Sequence, residues 1–128
     1  MNIDQSIYNG MRNILSSSGQ LQCVFEMFRN NNSSRLHSLR EHAAKGNINQ
    51  SALILHAIKG SCRMFGEIDC ADTCERIEKN ILASNTPPRQ ADLEELKIKL
   101  NAFTDFLGSN AKAGSSPEST SLRNAQQN

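Results

Sequence analysis

The sequence predicts an all-α chain: an antiparallel up-down four-helix bundle with an additional short N-terminal helix. Three observations carry this. Apolar residues recur at helical spacing through most of the first 107 positions. Strand signals are weak, with one tyrosine, no tryptophan and hardly a run of alternating β-branched residues in 128 residues. The periodic segments are separated by short stops rich in Gly, Ser, Asn or Pro, and short loops between amphipathic helices make successive helices antiparallel neighbours.

The first segment, residues 4–16, has Asp4 as its N-cap and Ile7, Met11, Ile14 and Leu15 as its apolar stripe, and Ser16-Ser-Ser-Gly19 ends it. Leu21, Phe25, Phe28, Leu36, Leu39 and Ala43 give residues 20–45 a single face. Asn30-Asn-Asn-Ser-Ser34 interrupts that face, so the helix either bends there or breaks, with Ser33 or Ser34 capping a new start. Gly46-Asn47 reads as a C-terminal turn. A third helix is expected over 49–65, closed by Gly66, and a fourth over 69–83 with Ala71, Cys74, Ile77 and Ile81 inward. Thr86-Pro-Pro88 stops the chain before a fifth helix, 90–107, whose Leu93, Leu96, Leu100, Phe103 and Leu107 form a bundle seam. The expected organisation is an N-terminal helix and turn over 1–19, the bundle over 20–108, and a Ser/Asn/Gln-rich disordered tail over 109–128.

Composition narrows the function. A net charge of +1, with no basic cluster interleaved with aromatics, points away from nucleic acid. No apolar run is long enough to span a membrane, and residues 1–15 lack the basic-then-apolar pattern of a secretory signal. A cytoplasmic, monomeric chain with four reduced thiols is expected. Cys70 and Cys74 stand four apart without a Cys-x-x-Cys pair to answer them, so buried thiols are a better reading than a metal site. His37 and His42, among charged residues, read as surface histidines.

The run HAIKGSCRMFG, residues 56–66, carries the chemistry. At about 100° per residue, Ile54, Ile58, Cys62 and Phe65 cluster opposite His56, with Leu55 at their edge. Ala52, Lys59, Gly60 and Arg63 share the histidine's side, so His56 is expected exposed between two solvated cations. An exposed neutral imidazole is a competent nucleophile near neutral pH. Glycine costs a helix interior roughly 1 kcal/mol relative to alanine, and Gly60 is mid-helix, where no cap is possible. Close approach of another molecule beside His56 gives it a reason. Gly66 lies near the same line and also serves as a C-cap. Leu53 and Met64, about a quarter-turn from His56, would form a shallow apolar docking rim, with Ala52 and Gly60 as the small residues that let a partner come near.

That run, followed by Ala71, Cys74, Ile77 and Glu78, resembles the histidine phosphotransfer (HPt) domain of bacterial multistep phosphorelays and hybrid sensor kinases. The family pattern is His, any residue, an aliphatic, Lys-Gly, two small residues, three positions and Gly, then Ala-x-x-Cys-x-x-aliphatic-Glu. Glu67, where the family usually has alanine, and Cys70, where it has leucine, depart from it. The resemblance spans roughly residues 20–108. It implies a four-helix bundle with His56 as phospho-acceptor, taking a phosphoryl group from a receiver-domain phospho-aspartate and passing it to another receiver aspartate. It also implies that the receiver supplies Mg²⁺, so this chain needs no cofactor. A phosphoryl group brings about two negative charges, which Lys59, and secondarily Arg63, are spaced to meet. An autokinase is disfavoured, since the chain has no glycine-rich phosphate loop and no room for an ATP-binding domain. The competing class is a non-catalytic helical adaptor that binds and blocks a receiver or kinase domain. The donor and acceptor receivers, and whether the chain stands alone or ends a hybrid kinase, stay open at this level.

Overall fold

The computed structural model describes residues 1–114 and has five helices: α1 (Gln5–Ser17), α2 (Leu21–Ala44), α3 (Ile48–Met64), α4 (Ile68–Ser84) and α5 (Gln90–Gly114). Among the described residues there is no strand, only an isolated antiparallel bridge between Ile3 and Glu67. No described helix is long and apolar enough to cross a membrane.

Helices α2 to α5 form a ring in which each packs on its neighbours in sequence and α5 returns to α2. Pairings across the seams show every step to be antiparallel. Asn32 meets Ser61 and Phe28 meets Phe65 across α2–α3, while Lys59 meets Glu78 and Arg63 meets Glu75 across α3–α4. Arg76 reaches Glu95 and Lys99 reaches Asp69 across α4–α5, and Phe28 meets Phe103 across α2–α5. The core is the expected apolar set: Leu39, Leu55, Ile58, Cys62, Ile77, Leu96, Leu100, Phe103 and Leu107 are all nearly or wholly buried. Phe65 is the hub at one end, with Phe25 and Phe28 edge-to-face on it at 5.7 and 4.9 Å between ring centroids.

Helix α1, capped by Asp4, whose carboxylate accepts from the Ile7 N–H, covers that end. The Tyr8 ring packs at a tilt against Phe106 of α5, and Arg12 donates to the Asn110 carbonyl. The residues ahead of α1 are sewn to the α3–α4 turn. The Asp4 N–H donates to the Gly66 carbonyl at 2.7 Å, and the Ile68 N–H donates to the Asn2 carbonyl at 2.7 Å.

One open alternative is decided and two expectations are corrected. Of the two readings of Asn30–Ser34, a break is excluded: α2 runs through as one helix of 24 residues. Asn32 and Leu39 are buried on the stripe that Phe25 and Phe28 begin, so packing along 24 residues outweighs the weak helix preference of Asn and Ser. Leu55, expected at the core's edge, is fully buried. The tail does not begin at 109, because α5 continues to Gly114, held by burial of Ala111 and the Arg12 contact. Residues 115–128, the rest of the expected tail, lie outside the described residues.

Candidate functional site

The core residues of α3 fix which way the rest of the helix looks. With Leu55, Ile58 and Cys62 sealed inside, the opposite side presents Leu53, His56, Gly60 and Met64 in a line along the axis. The His56 side chain is 68% exposed, and Leu53 and Met64 are more than 60% exposed as residues. A Cβ added to Gly60 would meet nothing within 4 Å, so no packing among the described residues requires glycine there.

On one flank of this line lies α4. The His56 Nδ1 is 3.6 Å from a carboxylate oxygen of Glu78, too long for a hydrogen bond but within ion-pair range. The other Glu78 oxygen accepts from the Lys59 ammonium at 3.2 Å. Arg63 donates to Glu75 at 2.8 Å, and Lys79 reaches the second Glu75 oxygen at 3.1 Å. Hydrogen bonds from Lys79 and then Arg63 hold the Glu75 carboxyl below its ordinary range. The flanking cations are therefore not solvated and waiting. Lys59, expected in solvent, has a side chain only 12% exposed and is neutralised by Glu78, while Arg63 is half-exposed and paired.

Glu75 and Glu78 are the residues the sequence reading left without a role. Their signal was present: at i and i+3 on α4 they sit beside the inward stripe of Ala71, Cys74 and Ile77, where a carboxylate must meet the facing helix.

Two residues expected to admit a partner do not lie on this surface. Ala52 is buried in the core, one turn before His56. Gly66 is also buried, at φ 81°, and a Cβ there would come within 2.8 Å of the Asp4 carbonyl oxygen. Its lack of a side chain admits the chain's own N-terminal segment.

The two departures from the motif fit the same junction. Glu67 is fully buried, caps α4 by accepting from the Cys70 N–H, and accepts from the Asn2 N–H at 2.9 Å. Cys70 packs beneath it. Its thiol pKa is pushed up by hydrogen bonding with Cys62 and by burial, and burial pushes up that of Cys74 as well. These thiols stay protonated and act as small core side chains. Among the described residues no group of three or more His, Cys, Asp or Glu is placed to hold a metal ion. His37 lies 3.4 Å from Glu41, and His42 bonds Asn47.

A protein-family model described as the Hpt domain matches residues 24–106, from early α2 to late α5. No curated protein and no solved structure matches the chain.

Proposed function

The chain belongs to the Hpt domain family of histidine phosphotransfer carriers, and from that premise we propose that His56 takes a phosphoryl group from a receiver-domain phospho-aspartate and hands it to another receiver aspartate. The observation that carries this reading is a single one: an exposed imidazole at mid-helix beside a glycine with open space above it.

The neighbours suggest how the step runs. Glu78 favours the proton on Nδ1, which leaves the Nε2 lone pair as the nucleophile. Nε2 attacks phosphorus, the N–P bond forms, the acyl phosphate P–O bond breaks, and the receiver aspartate departs as a carboxylate. The ring retains its Nδ1 proton and becomes cationic, and the Glu78 carboxylate offsets that charge. The reverse sequence regenerates neutral His56 and a new aspartyl phosphate. Lys59, one helical turn from His56, balances Glu78 before transfer and is shared with the phosphoryl oxygens afterwards; Arg63, two turns away, plays a lesser part. Leu53, Gly60 and Met64 form the surface on which the receiver settles. Mg²⁺ arrives with the receiver, no ATP site is needed on this chain, and a monomer in the cytoplasm suffices.

The test is a transfer panel. Each receiver domain of the source organism is phosphorylated with acetyl phosphate and incubated with the wild-type chain and with His56→Gln. Acid-labile, base-stable phosphate is expected on the wild type only. Labelling that persists in His56→Gln, at His37 or His42, would overturn the assignment.

A further inference from the structure

The polar stretch Asn30-Asn-Asn-Ser-Ser34 has no part in the chemistry above, yet one of its members is among the most buried polar residues of the molecule. Asn32 is only 2% exposed. Its amide nitrogen donates to the Ser61 hydroxyl at 3.2 Å, and that hydroxyl is also 2.9 Å from the Ile58 carbonyl. The Asn32 amide oxygen accepts from the Arg35 guanidinium at 3.1 Å. A buried amide is costly unless its donors and acceptors are met, and here meeting them ties a cation of α2 to the residue that follows Gly60 on α3.

The side of α2 on which Arg35 lies follows from its neighbours. Arg40, on the other flank of Asn32, pairs with Glu94 of α5, and Arg29, Ser33 and Leu36 line a groove with Leu100 and Thr104 of α5. Arg35 is left on the α3 flank, along the seam at Ser61. On α3, Ser61 is turned about 100° from Gly60 toward α2, whereas His56 is turned about 40° the other way, toward α4. A body seated over Gly60 thus meets His56 on one side and Arg35 on the other.

The two sides differ in charge balance. Lys59 and Arg63 each have a carboxylate partner. Among the described residues Arg35 has no ion pair, and its one hydrogen bond is to a neutral amide, so most of its five donors are uncommitted.

We infer that Arg35, held in place by Asn32 and Ser61, is a specificity-determining residue of the docking face, which selects receivers bearing a carboxylate on the rim beside the phosphorylated aspartate. This rests on the proposed phosphotransfer function. Asn32 is a positioning residue: it acts through Arg35.

The experiment uses the full chain phosphorylated on His56 with phosphoramidate, a small donor that needs no receiver. It is mixed with rising concentrations of a purified receiver that accepts phosphate from the wild type in the panel above. Arg35→Ala is expected to raise the half-saturating receiver concentration roughly three- to tenfold, with a smaller change in maximal rate, and to flatten the dependence of transfer on salt. Arg35→Lys should recover part of the affinity. Asn32→Leu, which fills the same space without holding the guanidinium, should shift the half-saturating concentration in the same direction by less. Its melting temperature is measured alongside, because Arg35→Ala must give the effect even if Asn32→Leu fails to fold. An Arg35→Ala curve that overlays the wild type at low and high salt overturns the inference and leaves the phosphotransfer reading standing. If no receiver accepts phosphate from the wild type, the functional reading fails and this inference falls with it.

Discussion

Gly60 and Gly66 stand six residues apart, one within α3 and one in the turn just beyond it, and the sequence assigns both to the same purpose, room for a visitor. The structure separates them. At Gly66 the backbone has φ 81° and the visitor is permanent: the Asp4 carbonyl and the Tyr8 N–H occupy the space a Cβ would need. Gly60 sits in ordinary helix with nothing within 4 Å of a Cβ position. Gly66 is required by the fold. Gly60 costs helix stability, and nothing among the described residues explains it. A missing side chain alone does not say which case applies; the path of the neighbouring backbone does.

The strongest way to break this comparison is Gly66→Ala. Strain at positive φ and displacement of the Asp4 carbonyl together should cost about 2–4 kcal/mol in denaturant unfolding. A loss below about 0.5 kcal/mol would mean that the N-terminal segment yields easily and that Gly66 is not structurally required.

The closed flank of the open face comes next. Lys59→Ala leaves Glu78, whose side chain is 19% exposed, without its ammonium partner. We expect a loss of about 1–2 kcal/mol together with slower transfer, and partial recovery of both in Lys59→Arg. Melting and transfer rate measured on the same samples separate the two roles. A stability loss with unaltered transfer would make Lys59 purely structural.

The smallest effect is expected where the surface is most open. Gly60→Ala should leave stability equal to wild type or raise it by up to about 1 kcal/mol, since the methyl group enters free space. Gly60→Gln should fold as well but transfer phosphate more slowly, because its side chain stands where the receiver settles. Native-rate transfer by Gly60→Gln would remove the steric explanation for this glycine.

Much of this was legible in the chain itself. Helix number, order and most boundaries follow from apolar spacing, and so does the exposure of His56, because Ile58, Cys62 and Phe65 leave the opposite side of α3 no alternative. What could not be read depended on contacts distant in sequence. Ala52 projects onto the histidine's side of α3, yet it is buried, and a helical projection carries no information about a neighbour's reach. Lys59 looked solvated because its partner lies nineteen residues away on α4. The Asn-rich stretch left a bend and a break both open because local propensity was the only guide there; the cost of burying Asn32 is met by Ser61 on another helix. Glu67 and Cys70 read as departures from a motif, but the residues ahead of α1 rest on Glu67, and Glu67 in turn caps the Cys70 N–H.

The distribution of sulfur has a practical consequence. Cys62, Cys70 and Cys74 are sealed in the core, while Cys23 is exposed near the start of α2. A maleimide dye added to the folded native chain therefore has one address, with no cysteine to be engineered away. Cys23 and Arg35 are twelve residues apart on one continuous helix, about 18 Å along its axis. A fluorophore at Cys23 lies within energy-transfer range of any receiver seated over Gly60 and clear of the face itself, so association can be followed optically, independent of the phosphate.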